Sequence, residues 1–335
     1  MKIKFLPYQP HCFAFGGFEV QTLSTLQALQ EYGVDATTLD VWGRDSNFDV
    51  LHCWGLGVAN YENVFWGKKA GKKVVITALL PYYETILEKA KHYLSLGVYK
   101  ARLFKEMLQV VDKVVLVNEL QADVCKRLFG VPSSKLEVIP NVVQQLYFDA
   151  GKYTGSPFKQ QYNLSDFILT TGNVCSRKNQ LSLARAAVKA GANLVIIGKV
   201  MEGEEKYREA LEQFVQANPT ITWIKGLEPG SDDLVNAYAA CAAFALPSYV
   251  EQQPISLLEA AVMHKPLLIS DRAYAHQKYY TNARLVNPGS TDEIAKGLQD
   301  VLNNSSKYIV PHQFLQECKA HHVAEAYADV YKSLY

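Results

Sequence analysis

Two successive series of short apolar runs, each run three to six residues long and followed by a stretch of helical periodicity, leave this chain few folds to choose from. The first series is Ile3–Leu6, Ala36–Val41, Val50–Cys53, Lys73–Ala78, Lys113–Val117 and Leu136–Ile139. The second is Phe167–Thr171, Leu194–Ile197, Thr222–Ile224, Ala242–Leu246, Leu267–Ser270 and Ala283–Val286. Apolar runs without alternation read as strands buried on both faces, and the helices between them are the crossovers that parallel strands require. The pattern predicts an α/β protein of two Rossmann-like, doubly wound parallel-sheet domains. Two such sheets facing each other would place their strand carboxyl ends, and hence ligands, along a shared cleft.

Three segments fall outside this alternation. From Pro81 to Asp112, Leu87, Ala90, Leu94, Val98, Ala101 and Phe104 recur near helical spacing and leave Lys89, Lys91, Lys100 and Lys105 outward. That basic face reads either as plain solvated surface or as a weak peripheral membrane contact. Between Asn141 and Asp166 the periodicity breaks at Gln144-Gln145, Gly151, Gly155 and Ser156-Pro157, the composition of an interdomain linker. Phe314 to Tyr335 reads as a final helix with no strand after it, free to cap the second domain or to return to the first.

At 335 residues the chain suits two domains rather than one core. Its 34 lysines and arginines against 33 acids give no basic field for nucleic acid. Six scattered cysteines without a C-x-x-C pair suit buried reduced thiols. No segment reaches the roughly 20 apolar residues that span a bilayer, and the N-terminus carries no secretory pattern. The expectation is a cytoplasmic protein, with at most a peripheral contact at the inner face of the membrane.

Chemistry concentrates in residues 247–260, Pro-Ser-Tyr-Val-Glu-Gln-Gln-Pro-Ile-Ser-Leu-Leu-Glu-Ala. Glu251 falls in the loop after a buried strand, and Glu259 eight positions later falls on the first turn of a helix predicted over Ser256–Met263. The amide groups of that helix start can receive an anion, and an ionised carboxylate can accept hydrogen bonds from a sugar diol. Two plainer readings compete. Ser256-x-x-Glu259 fits a capping box, and Glu251 can be a solvated loop charge.

Other motifs fall in register with this pair: Gly16-Gly17-Phe18-Glu19 after the first strand, Val138-Ile139-Pro140-Asn141 closing the first domain, Gly172-Asn173-Val174-Cys175-Ser176-Arg177-Lys178-Asn179-Gln180 opening the second, and Lys265-Pro266. In order and spacing they resemble glycosyltransferase family 4, retaining enzymes of the GT-B fold that use nucleotide sugars. The resemblance implies that Gly16 and Gly17 let the first loop approach the donor, and that Gly172 and Asn173 belong to the second-domain donor loop. It implies that Lys178, with Arg177, neutralises the diphosphate and that Glu251 lies against the donor sugar. Glu259 would hold the ribose hydroxyls, with the Ile255 and Ser256 amides on phosphate. It further implies domains at 1–145 and 146–311, with 312–335 crossing back to the first. The donor would be a UDP- or GDP-linked sugar and the acceptor a glycan, a lipid-linked or a small molecule. No cofactor or metal is called for.

Departures from the family pattern matter as much. Asn173 stands where an arginine is usual, Leu79 where a histidine follows Thr77-Ala78, Gln252-Gln253 where glycine and an aromatic are usual, and His264 where glycine is common. Leu79 can neither donate nor accept, so His11, His52 or the Tyr82-Tyr83-Glu84 stretch become candidates for the missing contact. The two glutamines point to an altered sugar preference. These losses also keep open a non-catalytic GT-B subunit that binds a sugar or a partner transferase.

Overall fold

The computed structural model describes residues 1–13, 15–80 and 86–335, with backbone alone for 86–93, 95, 96 and 98. Tyr82, Tyr83 and Glu84 lie outside the described residues. The chain forms two compact units, Met1–Val142 with Glu317–Tyr335, and Val143–Gln316.

In the first unit the order is β1 (Lys2–Pro7), α1 (Gly17–Glu31), β2 (Asp35–Thr38), β3 (Val50–Trp54), α2 (Ala59–Lys69) and β4 (Lys73–Thr77). It continues with α3 (Ile86–Val110), β5 (Lys113–Leu116), α4 (Glu119–Phe129) and β6 (Leu136–Val138). The second unit begins with α5 (Gln145–Phe148), α6 (Ser156–Gln161), β7 (Ile168–Thr171), α7 (Gln180–Ala190), β8 (Leu194–Ile197) and α8 (Glu205–Ala217). Then come β9 (Ile221–Ile224), α9 (Asp232–Ala240), β10 (Ala243–Leu246), α10 (Ile255–Val262), β11 (Leu267–Ser270), β12 (Arg284–Val286) and α11 (Thr291–Asn303). The last helix, α12 (Ala320–Lys332), belongs to the first unit.

All twelve expected strands form, in two six-stranded parallel sheets ordered β2-β1-β3-β4-β5-β6 and β12-β11-β10-β7-β8-β9. Each order reverses direction once, between β1 and β3 in the first sheet and between β7 and β10 in the second. At such a point the two neighbouring loops leave on opposite sides, and a crevice opens at the carboxyl ends of the strands. In the second unit that crevice is framed by the loops after Thr171 and Leu246, the segments richest in chemical motifs.

Three expectations need correction. The stretch 143–166 is no loose linker: Tyr147 and Phe158 are fully buried. Tyr153 donates to Asp232 at 2.8 Å and the Gly155 amide reaches Asn236, which fastens the segment to α9. Helix α3 is broken at Gly97, whose φ of +70° is left-handed. The break changes the helical phase, so Leu94, placed on the apolar face by spacing, is 84% exposed while Ala101 is buried. The final helix starts at Ala320 rather than Phe314, because residues His312–Cys318 form a tighter 3₁₀ turn and Lys319 is extended.

Val323, Tyr327, Val330 and Tyr331 of α12, with Leu334 just beyond it, pack against Ile3, Phe5, Val50, Trp54 and Val75 of the first sheet. Each such side chain contributes roughly 1.5–3 kcal/mol by leaving water. His52, a candidate for the missing contact, is wholly enclosed in this layer. Its Nδ1 lies 2.7 Å from the Tyr331 hydroxyl and its Nε2 2.8 Å from Thr77 Oγ1, and its ring stacks on Trp54. It is therefore a core histidine that bonds the sheet to α12.

Burial lowers the His52 pKa from 6.5 to about 3, so the folded state refuses a proton that the unfolded chain accepts. Its favourable contribution is complete above pH 6.5 and is lost as pH falls, by roughly 1.4 kcal/mol per unit. Urea unfolding followed by tryptophan fluorescence should show His52→Asn less stable than wild type at pH 7, with a shallower decline between pH 6.5 and 4. Equal slopes in the two proteins would remove His52 from the acid response.

Candidate active site

The site in the second unit is built from two loops that meet at the reversal of strand order. After β7 the chain passes Gly172, whose φ of +121° excludes other residues, and the 3₁₀ turn Ser176–Lys178. A Cβ on Gly172 would press on the Lys178 side chain at 3.3 Å, and one on Gly198 would strike the Gly172 carbonyl at 2.0 Å. The Asn173 carbonyl accepts from Gln180. Asn179 locks the turn. It is buried at φ +61° and its amide donates to the carbonyls of Pro247 at 3.1 Å and Pro288 at 2.8 Å. The second loop is fastened to the first, because the Tyr249 amide donates to the Arg177 carbonyl and Arg177 donates to the Val250 carbonyl.

These ties bring Lys178 and Arg177 together on Glu251, each 3.0 Å from Oε1. The Lys178 and Glu251 side chains are only 11% and 8% exposed, so neither is a solvated surface charge. Burial pushes the Glu251 pKa up, but the charges of Lys178 and Arg177 outweigh it and hold the carboxyl below its ordinary value. One carboxylate against two cations leaves the cluster with a net positive charge. Such a charge excess can attract an anion.

Glu259 is placed differently. It stands in the second turn of α10, and Pro254 rather than Ser256 occupies the cap position. The capping-box reading fails, since the carboxylate accepts from the Tyr238 hydroxyl at 2.7 Å instead of from its own backbone. Burial raises its pKa to about 7, and the hydroxyls of Tyr238 and Tyr147 oppose that shift without cancelling it. Tyr147 makes no well-formed hydrogen bond, so Tyr238 is the effective donor. The Ile255 and Ser256 amides open α10 and find no acceptor among the described residues.

Tyr238 and Tyr147 carry no motif that singles them out in sequence, and Asn179 lies inside the motif that opens the second domain without a role of its own there. The left-handed position after Lys178 was the one available signal, because Asn is the residue other than Gly that accepts it most readily.

The remaining candidates divide. Gln253 is buried and donates to Gln277 at 3.0 Å, while Gln277 in turn donates to the Gln252 carbonyl, so Gln253 serves loop structure first. His264 is left-handed at φ +55° and stacks on His312. In the first unit, Gly16 is extended and a Cβ on Gly17 would meet nothing within 4 Å, so neither glycine is demanded by the turn. Glu19 caps α1 through the Gly16 amide at 2.8 Å. Leu79 is 42% exposed after β4. His11 lines a cavity of about 380 Å³ at the carboxyl ends of β1 and β2, walled by Leu6, Leu23, Leu26, Leu39 and Val41. The six cysteines are free thiols, and among the described residues no three His, Cys, Asp or Glu side chains gather as metal ligands. No described helix is long and apolar enough to cross a membrane.

Two sequence profiles match this chain: Glycosyl transferases group 1 over residues 157–317 and Glycosyltransferase Family 4 over residues 35–144. Both sheets, the loops at the second reversal and these matches place the chain among the GT-B glycosyltransferases. It belongs to glycosyltransferase family 4. A curated relative, alpha-galactosylglucosyldiacylglycerol synthase of Streptococcus pneumoniae, is 25% identical over 238 residues, covering 67% of this chain and 60% of its own length. Among solved structures, Anabaena Alr3699/HepE in complex with UDP and glucose is 15% identical with a TM-score of 0.76, covering 99% and 100% of the two chains. A Rickettsia africae glycosyltransferase is 14% identical with a TM-score of 0.72, covering 99% and 97%. WaaG, a glycosyltransferase of lipopolysaccharide biosynthesis, is 15% identical with a TM-score of 0.66, covering 98% and 99%. At these identities the structures establish the shared fold.

Two stability outcomes follow from the geometry. Asn179→Ala should destabilise by about 2–3 kcal/mol, losing two buried hydrogen bonds and straining the backbone, whereas Asn179→Gly should lose the bonds alone. Thermal unfolding that ranks the two variants equally would show that the backbone conformation carries no cost. Glu259 acts in the opposite direction to His52. Its raised pKa means the folded state holds more protons than the unfolded chain between pH 4.5 and 7, so its contribution turns unfavourable as pH rises through that window. Glu259→Gln should leave stability near pH 4.5 unchanged and increase it at pH 8 by about 1–3 kcal/mol, checked by urea titration at both values.

Proposed function

We propose that this chain is a retaining hexosyltransferase that moves a sugar from a UDP-linked donor to a lipid-linked acceptor. The observation that carries the reading is the Lys178–Arg177–Glu251 cluster, with Lys178 and Glu251 largely enclosed and an excess of positive charge, in the same unit as the free amides of Ile255 and Ser256. A diphosphate matches both features, as charge for the cations and as acceptor for the helix start. As the glycosidic bond breaks, negative charge grows on the leaving phosphate oxygen, and Lys178 stabilises it there. In this reading the leaving phosphate takes the acceptor proton, which suits retention at the anomeric carbon. Glu251 keeps Lys178 in position and meets the donor sugar, while Glu259 accepts from the ribose diol. Gly172 and Asn173 form the wall of the donor loop, and Gly16 and Gly17 add no side chain to the first loop of the first unit.

The UDP and hexose assignment is supported by the likeness to Anabaena Alr3699/HepE, which was solved with UDP and glucose. The lipid-linked acceptor is supported by the diacylglycerol-glycolipid synthase relative and by the apolar cavity of the first unit. His11 lines that cavity, and Leu79, exposed after β4 in the same unit, offers apolar surface where family members carry a histidine.

Lys178→Ala should lower turnover of UDP-glucose about 10²–10³-fold and weaken UDP binding far more than uridine binding. The assay is UDP release with a lipid-linked acceptor, paired with calorimetry on UDP and uridine and with melting curves to confirm folding. Equal losses for UDP and uridine would take Lys178 off the diphosphate. In the acceptor cavity, Val41→Asp should raise the acceptor KM while sparing acceptor-independent donor hydrolysis.

A further inference from the structure

Glu251 has two cations at 3.0 Å, whereas Glu259 has none among the described residues. The groups that face Glu259 are neutral phenols, Tyr238 from α9 and Tyr147 from α5. Tyr238 is fully buried, its ring stacked on Phe244 of β10 and met edge-on by Tyr147. Its hydroxyl is 2.7 Å from Glu259 Oε2 and 2.7 Å from Thr171 Oγ1 of β7. A phenol has one proton to give. The Ser256 carbonyl, at 3.3 Å, is the more distant acceptor for that proton; with it donated to Glu259, the Thr171 hydroxyl donates to Tyr238, giving a one-way chain from Thr171 through Tyr238 to Oε2. No side chain is bonded to Oε1, and Glu259 keeps a partly open face.

We propose that Tyr238, oriented by Thr171, is a positioning residue that holds Glu259 with Oε1 free for the ribose diol, and that donor binding drives a proton off Glu259 into solvent. This rests on the reading of Glu259 as the ribose acceptor. The balance is simple: the O–H bond of the neutral carboxylic acid breaks, its proton passes to buffer, and the carboxylate accepts the two diol O–H groups. An isolated carboxyl among phenols is held neutral by burial, and its pKa of about 7 in the unbound protein agrees with that. Two further donors favour the charged form, so binding and deprotonation are linked. The affinity for donor should then fall as pH drops through neutrality, by about tenfold between pH 8 and pH 6.

The test is isothermal titration of the full-length protein with whichever of UDP-glucose and GDP-mannose binds more tightly, at pH 6, 7 and 8, in two buffers of different ionisation enthalpy. Both phosphates of these sugars are diesters, so neither contributes a proton in this range. Wild type should release close to one proton per donor at pH 6 and little at pH 8. Glu259→Gln should release none and bind with flat pH dependence. Tyr238→Phe removes a donor to the carboxylate, so its affinity profile should move to higher pH while binding at pH 8 or above is largely retained. Thr171→Val should move the profile the same way by less. If Tyr238→Phe weakens binding equally at every pH, Tyr238 is structural and the positioning role is overturned. If wild type binds with no proton exchange while Glu259→Gln still loses affinity, the linkage is wrong but the ribose contact stands. If Glu259→Gln binds like wild type throughout, the ribose contact falls and this inference falls with it.

Discussion

A parallel sheet has to be covered on both faces, and right-handed crossovers can cover both only if the chain reverses its direction of travel across the sheet. That constraint organises each unit of this protein. In the second unit the reversal falls between the paired strands β7 and β10, so the loops that follow them lie side by side at the carboxyl ends of the strands. Arg177 and Lys178 come from one loop and Glu251 from the other. Without the reversal, residues 73 positions apart would have no common place to meet.

Where those loops meet, electrostatics takes over from packing. Glu251 is enclosed yet ionised because two cations compensate it where it stands, and Asn179 fixes the turn that delivers them. Glu259 is enclosed without a cation and is drawn toward its neutral form. Two carboxylates eight positions apart thus have opposite proton affinities, set entirely by what surrounds each. A site that keeps an uncompensated carboxyl gives up folding stability for a group that a ligand can complete, a common trade at functional sites.

The first unit uses its polar core differently. His52, Thr77, Tyr327 and Tyr331 bond a strand pair to α12, a helix that arrives from the far end of the chain. The histidine here has become structural, and the polar residue sought at the end of β4 is replaced by an exposed leucine. An apolar cavity opens at the ends of β1 and β2.

Much of this was legible in the chain itself. Uninterrupted apolar runs dictate buried strands because no other element of three to six residues can hide such a run, and all twelve form within a few residues of their expected limits. Motif order named Arg177, Lys178, Glu251 and Glu259 as candidates, but not the ion pairs that join Glu251 alone to both cations. Local reading failed where phase or partners come from elsewhere. Gly97 reset the face of α3 and exposed Leu94, and the polar stretch 143–166 found its order only against α9. Ser256-x-x-Glu259 has the spacing of a capping box, yet the carboxylate turned to Tyr238, since a buried hydroxyl from another helix offered a better partner than the backbone. Sequence alone determined which segments must be buried and which residue types the site would hold. Tertiary structure decided which carboxylate is ionised, which histidine is core and which hydroxyl holds Glu259, because proton affinity and hydrogen bonding depend on neighbours that only folding brings near.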